Sequence, residues 1–169
     1  MRRITVVLIL FAVGLLAARV QAGEGAAAKF NQMKLLSGSW RGENHEGKTV
    51  SVIYEVVSNG SALMERMKSG DEPDMITMYH LDGDQLMMTH YCSAMNQPRM
   101  RAEIDDNANV VNFALFDITN LEQESDGHMV RMVMSIKDSD HLTHEWTFLE
   151  EGKKMAAPFE LERVKMSQK

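Results

Sequence analysis

Short turns divide this chain into alternating segments, and this pattern constrains the fold more than any other feature. Five turns pair an acidic or amide residue with glycine: Glu46-Gly47, Asn59-Gly60, Asp82-Gly83, Asp126-Gly127 and Glu151-Gly152. Asn-Gly and Asp-Gly favour tight hairpins, because both central residues of a type I′ turn need positive φ. The alternating segments between turns predict ten strands, at 40–46, 48–58, 61–69, 74–81, 84–92, 99–105, 109–117, 128–137, 141–150 and 154–164.

Nearly every connection between these predicted strands is short, which indicates an antiparallel meander. A meander protects its edges by closing into a barrel. Ahead of the strands, residues 26–36 place Phe30, Met33 and Leu36 on one face, and Gly38 follows. This spacing predicts a short helix that closes one end of the barrel. We therefore predict an all-β fold, a ten-stranded antiparallel up-and-down β-barrel with a short N-terminal helix.

The N-terminal segment has the pattern of a secretory signal peptide. Two arginines follow Met1, an apolar run extends from Ile4 to about Ala18, and a small-x-small site ends at Ala22. We expect cleavage after Ala22, which divides the chain into a signal peptide at 1–22 and a barrel domain at 23–169. The apolar run is short for a membrane span. We expect a periplasmic or secreted protein without stable membrane insertion after cleavage, and an uncleaved N-terminal anchor is the alternative.

Charge restricts the partners of the mature protein. Cleavage after Ala22 removes three of the 18 Lys and Arg and none of the 24 Asp and Glu, which changes the net charge from −6 to −9. An acidic protein repels phosphate backbones and anionic lipid surfaces. Nucleic acid is therefore not an expected partner. The sequence does not predict the oligomeric state.

Cysteine and methionine usage indicates how the interior is built. Cys92 is the single cysteine, so no intramolecular disulfide can form, and the core must supply the stability. The 15 methionines fall mostly inside the alternating segments. Flexible, polarizable thioethers fill irregular space, so we interpret them as core or pocket lining.

The segment KLLSGSWRGE, with Gly38-Ser39-Trp40, followed by a meander, resembles the calycin superfamily. That superfamily includes lipocalins, fatty-acid-binding proteins and nitrobindin-like haem barrels, and the chain is also similar to small lipocalin-like proteins that bacteria export. The resemblance implies that Trp40 lies across the barrel floor and that Arg163 of the last strand packs on its ring, a structural pair. Nitrobindin-like barrels carry a haem-ligating His near the C-terminus. This chain has no His after His144, so haem is disfavoured.

Strand alternation selects the residues that face the interior. We interpret the face with His144 and Trp146 as inward in strand 141–150, and the face with Met88, His90 and Cys92 as inward in strand 84–92. A two-residue hairpin at Asp82-Gly83 would place Tyr79 opposite Leu86, Thr77 opposite Met88 and Met75 opposite His90. The other register would turn His80, Met78 and Tyr91 inward instead.

Two further regions offer polar groups. Tyr54 is placed on the inward face of strand 48–58, and either Glu65 or Arg66 must face inward on the next strand, where a buried charge needs a partner. The segment from Thr89 to Arg99 combines a strand end with a polar loop. The predicted ligand-binding residues are Tyr54, Glu65, Tyr79, Met88, His90, Cys92, Asn96, Arg99, His144 and Trp146.

We therefore expect a binder of a small, largely apolar ligand rather than an enzyme. The predicted cavity lining comprises Tyr54, Met88, Phe113, Met132 and Trp146, with His90 and His144 as polar anchors. No resident cofactor is expected, and a barrel with a filled interior that acts through its outer surface is a further reading.

The alternative is a metal-dependent (zinc) or acid–base enzyme, or a metal binder, that uses His90, His144 and Glu65. Zinc is disfavoured because no His-x-His spacing exists and His80 and His90 fall on opposite faces. A His90–Cys92 nucleophile pair is disfavoured because about 7 Å of strand separates the two residues.

Overall fold

A computed structural model describes residues 25–104 and 109–165. These residues form a helix at 25–34 and ten strands. The strands are β1 (Gly38–Glu43), β2 (Thr49–Val57), β3 (Ala62–Ser69), β4 (Met75–Asp82), β5 (Gln85–Tyr91), β6 (Gln97–Glu103), β7 (Val110–Thr119), β8 (His128–Ile136), β9 (His141–Glu150) and β10 (Lys153–Arg163). The predicted fold class is confirmed. The predicted signal peptide at 1–22 lies outside the described residues.

Each strand pairs antiparallel with its neighbour in the chain, and β1 pairs with β10 to close the barrel. At this seam Trp40 lies opposite Arg163 and Gly42 lies opposite Leu161. The Arg163 guanidinium carbon lies 4.3 Å from the centre of the Trp40 ring. The geometry expected for this pair is therefore present where the first and last strands meet.

The helix covers the end of the barrel where β1 begins and β10 ends. Its apolar side chains, Ala26, Phe30 and Met33, are buried in the same core as the inner faces of the strands. Lys29 donates from Nζ to the carbonyl of Val110 at 2.6 Å, which ties the helix to the start of β7. This is the closed end. Within 25–104 and 109–165, we find no helix with the length and apolar content needed to cross a membrane.

The β4–β5 hairpin corrects one prediction. Its two turn residues are Gly83 and Asp84, since Asp82 pairs with Gln85, and Tyr79 lies opposite Met88 rather than Leu86. Thr77 accordingly pairs with His90 rather than with Met88. The pairing differs from the prediction by two residues, and an even shift leaves every side chain on its predicted face.

Alternation along the strands therefore separates core from surface as expected. Leu63, Glu65 and Met67 are buried on β3, while Arg66 is exposed and forms an ion pair with Asp74. The choice between Glu65 and Arg66 is settled in favour of the acid. At the end opposite the helix, the connections at 44–48, 70–74, 92–96, 120–127 and 151–152 surround an opening. We call this the open end.

Candidate functional site

A cavity of about 660 Å³ lies at the open end of the barrel. Its apolar walls include Met67, Met75, Trp146, Phe148 and Phe159, whose side chains come from β3, β4, β9 and β10. The rest of the lining comes mainly from the β1–β2, β3–β4 and β5–β6 connections. It comprises Asn44, His45, Glu46, Lys48, Ser69, Asp71, Glu72, Pro73, Cys92, Ser93, Ala94, Met129 and Ala157. The cavity thus has an apolar interior and a polar mouth.

Trp146 gives this cavity its deepest polar group. Its side chain is fully buried, although it forms part of the cavity wall. The His90 ring lies beside it, with 4.6 Å between the two ring centres. The indole Nε1 has no hydrogen-bond partner among the described residues. A buried N–H without a partner costs about 1–3 kcal/mol, so this indole is an unusual feature of the interior.

Below the cavity, a row of polar residues crosses four adjacent strands. Tyr54 on β2 pairs with Glu65 on β3, Glu65 pairs with Thr77 on β4, and Thr77 pairs with His90 on β5. All four side chains are buried. Because each lies directly opposite the next, the inward period of the strands is enough to align them. We call these four residues the polar row.

Hydrogen bonds link the polar row to neighbouring side chains. Tyr79 donates from its hydroxyl to Oε2 of Glu65 at 2.7 Å. The Tyr54 hydroxyl and Nε2 of His144 share a hydrogen bond of 2.7 Å. The hydroxyl of Thr77 and Nδ1 of His90 share one of 2.9 Å. Glu65, His90 and His144 therefore each form a hydrogen bond with one hydroxyl group.

These hydroxyls satisfy the polar row only in part. Glu65 Oε1, His90 Nε2 and His144 Nδ1 are buried and have no hydrogen-bond partner among the described residues. Together with the Trp146 indole Nε1, they make four buried polar atoms of the interior without a hydrogen-bond partner among the described residues. Native interiors contain few such atoms, and their clustering marks a site.

Burial shifts the titration of this interior. It raises the pKa of both Tyr54 and Tyr79 well above the usual value, and the nearby Glu65 adds to the effect. Burial lowers the pKa of His90 to about 4. It also lowers the pKa of His144, and Glu65 opposes that change. The two phenols and the two imidazoles are therefore neutral near pH 7.

The structure brings most of the predicted site residues together, but not around the open cavity. Buried in the barrel interior are Tyr54, Glu65, Tyr79, Met88, His90, His144 and Trp146. Of the predicted lining, only Trp146 borders the cavity. Tyr54, Met88, Phe113 and Met132 instead belong to the packed core below, because the barrel fills its lower half with large side chains.

The β5–β6 connection contributes less than expected. Cys92 is half-buried and lines the cavity, and burial raises the pKa of its thiol, which disfavours the reactive thiolate. Asn96 is buried and donates from Nδ2 to the carbonyl of Gly127 at 2.9 Å, so it holds two loops together.

Arg99 does not reach the site. It lies on the outer face of β6, where its Nη1 is 2.8 Å from Oδ2 of Asp117. Pro98 and Met100, its neighbours, take the buried positions on that strand. Alternation therefore excludes Arg99 from the interior.

Sequence reasoning missed the mouth of the cavity. Asp71 and Glu72 lie in the connection between two predicted strands, and the pattern does not distinguish Met75 and Phe159 from the many other apolar strand residues. The position of Met67 and Met75 near the open-end termini of two paired strands is the signal that could have identified them.

The residues of the alternative site lie in one buried polar region, since Thr77 is paired with both Glu65 and His90. His90, His144 and Glu65 bond to three different hydroxyls, and His80 lies outside the buried set on β4. Among residues 25–104 and 109–165, no group of three His, Cys, Asp or Glu side chains is arranged to hold a metal ion.

Comparisons with known proteins bear on the fold. No protein-family model and no curated protein matches the sequence. One similar solved structure is a protein of unknown function from the DUF3598 family of Nostoc punctiforme, with 13% identity and a TM-score of 0.53. The match covers 77% of this chain and 48% of that protein, so this chain spans about half its length.

A second similar structure is Rv2717c from M. tuberculosis, with 13% identity and a TM-score of 0.52. The match covers 81% of this chain and 98% of that protein. At this identity the likeness concerns the fold alone. The barrel is consistent with a calycin-like fold, and membership of that superfamily stays a prediction.

Proposed function

We propose that this protein binds a small, largely apolar molecule in the cavity at the open end of the barrel. The observation that carries the proposal is a cavity of about 660 Å³ whose wall contains the apolar side chains of Met67, Met75, Phe148 and Phe159. Pockets for small molecules typically occupy about 300–1,000 Å³, with mostly apolar walls and a few polar groups that orient the ligand.

The flexible side chains in the wall are suited to apolar ligands of different shapes. Met67 on β3 is paired with Met75 on β4, and both side chains line the cavity. Thioethers adapt their rotamers to an irregular apolar surface at little cost. The ligand would contact both methionines.

Substitution at two adjacent positions of β10 tests the proposal. Ala157 lines the cavity, whereas Ala156 next to it is exposed on the outer face. Ala157→Trp would place an indole ring inside the cavity and reduce its volume, and Ala156→Trp is the matched control. Binding of a neutral fluorescent apolar probe should be lost in the first variant and retained in the second. Equal probe binding by both variants would overturn the proposal.

Native mass spectrometry of protein purified from its own cells provides a direct search for the ligand. We expect a bound species whose mass fits the cavity and whose occupancy falls in Ala157→Trp. The same measurement tests the proposed export, because a protein that begins at Gly23 has lost residues 1–22. A mature protein that retains Met1-Arg2-Arg3 would contradict that cleavage.

A further inference from the structure

The mouth of the cavity carries an excess of negative charge. Glu46, Asp71 and Glu72 contribute three carboxylates to its lining, and Lys48 is the only Lys or Arg among the described lining residues. The Nζ of Lys48 lies 2.9 Å from Oε2 of Glu46, so the one positive charge is already paired. Two carboxylates, Asp71 and Glu72, therefore stand without an equivalent cation.

Local hydrogen bonds hold these charges at the mouth. The amides of Glu46 and Lys48 both donate to Oδ1 of Asn44 at 3.0 Å, which orders the β1–β2 connection. Ser93 donates from its hydroxyl to Oε2 of Glu72 at 3.2 Å, which joins the β3–β4 and β5–β6 connections.

The upper interior holds an acidic side chain and no buried Lys or Arg among the described residues. Glu65 lies two residues below the cavity-lining Met67 on the inner face of β3, and its Oε1 has no partner among the described residues. The only buried Lys or Arg in the described chain is Lys29, which bonds to Val110 at the closed end. No cation in the upper interior would balance an anionic ligand.

The cavity wall suits a cation. Trp146, Phe148 and Phe159 present three aromatic side chains to the same space. The faces of aromatic rings attract cations, with tryptophan the strongest, and this attraction grows when water is displaced. A cleft with walls of low polarity also concentrates the field of the charges at its mouth.

We infer that the ligand is an amphiphile whose polar end is a cation, an amine or a quaternary ammonium, rather than a carboxylate. This inference rests on the proposed function of the cavity and specifies the class of molecule that enters it. Aromatic rings would contact the cationic group, and Asp71 and Glu72 would attract it from solution. Asp71 and Glu72 would repel a carboxylate ligand of the same chain length.

Three probes with one alkyl chain test the inference: decyltrimethylammonium, decanol and decanoate. Each is titrated below its micelle concentration against the neutral fluorescent probe, in the whole protein at low salt. We expect the ammonium to bind roughly five- to tenfold more tightly than the alcohol, and decanoate more weakly than either, as two partly screened charges allow. Added salt should reduce the difference.

The outcomes separate this inference from the proposed function. If decanol binds as tightly as the ammonium, or decanoate binds as tightly as either, the charge preference is wrong and the apolar cavity stands. If none of the three binds, the proposed function itself fails. Binding of the ammonium that does not displace the neutral fluorescent probe takes place outside the cavity and overturns the inference.

A pair of double variants locates the source of the preference. Asp71→Asn with Glu72→Gln removes two charges at the mouth, and Asp82→Asn with Asp84→Asn removes two at the exposed β4–β5 turn of the closed end. Both change the net charge equally. The first should lose most of the preference for the ammonium and the second should keep it. An equal loss in both would show a general charge effect and contradict the site.

Discussion

Arg163 packs on Trp40 at the closed end of the barrel, and its guanidinium carbon lies 4.3 Å from the centre of the indole ring. The same guanidinium donates to the carbonyls of Ser37, Leu35 and Ser139 at 2.8, 3.0 and 2.7 Å. The indole donates from Nε1 to the carbonyl of Leu36 at 2.7 Å. One pair of side chains therefore joins the last strand, the first strand and the end of the helix.

Arg163→Ala should lower the free energy of unfolding by about 2–4 kcal/mol, because it removes a cation–π contact and leaves three carbonyls without a charged donor. Arg66→Ala is the control. It removes an exposed ion pair with Asp74 and should cost less than about 1 kcal/mol. Urea unfolding followed by circular dichroism measures both. An equal, small loss would mean that Arg163 does not secure the closed end.

Tyr79→Phe should destabilise the protein by about 1–3 kcal/mol. It removes the hydroxyl that donates to Oε2 of Glu65, and Oε1 of that buried carboxyl has no partner among the described residues. Tyr91→Phe removes the same hydroxyl from an exposed ring on the neighbouring strand and should change stability by less than about 0.5 kcal/mol. Thermal unfolding of the two variants makes the comparison. A cost that is the same in both would show that Glu65 gains nothing from Tyr79.

Acid should destabilise the fold through His90. Burial lowers its folded-state pKa from 6.5 to about 4, so the unfolded chain binds the proton more readily between these values. The stability that neutral His90 contributes to the folded state is complete above pH 6.5 and is lost as the pH falls toward 4. The total loss is on the order of 3 kcal/mol. His144 acts in the same direction, because burial also lowers its pKa.

The variant His90→Asn removes this titration and keeps a polar group near Thr77. Its stability should fall less steeply than that of the parent between pH 6.5 and 4, whereas His45→Asn at the exposed mouth should follow the parent. Unfolding free energies measured across this range provide the comparison. Parallel curves for the parent and His90→Asn would contradict the prediction.

Gly42→Ala should disrupt the seam between β1 and β10. A Cβ at this position would overlap the backbone carbonyl of Glu160, so the strands would have to move apart, at a cost of about 3 kcal/mol or more. Gly47→Ala is the control: it has open space, and its φ of +72° makes alanine cost about 1–2 kcal/mol. Hydrogen exchange at β1 and β10 measures the seam directly. Unchanged protection there would show that the barrel tolerates the extra carbon.

The sequence by itself determined the features that depend on local chemistry. Turn residues and a period of two predicted the strands, and the resemblance to the calycins implied that Trp40 and Arg163 meet, as they do. The inner face of β9 followed from alternation, because its apolar set lies on one face, whereas alternation left two faces open for β5 and the structure selected the one with His90.

The tertiary structure decided the features that depend on how strands meet. The β4–β5 turn moved by one residue and shifted the pairing by two, and only the closed barrel selected Glu65 over Arg66. The cavity could not be predicted, because its volume is what remains after side chains from all sides have packed. Large core residues fill the lower half, so the space lies above Trp146, beside a mouth whose charges come from turns far apart in sequence.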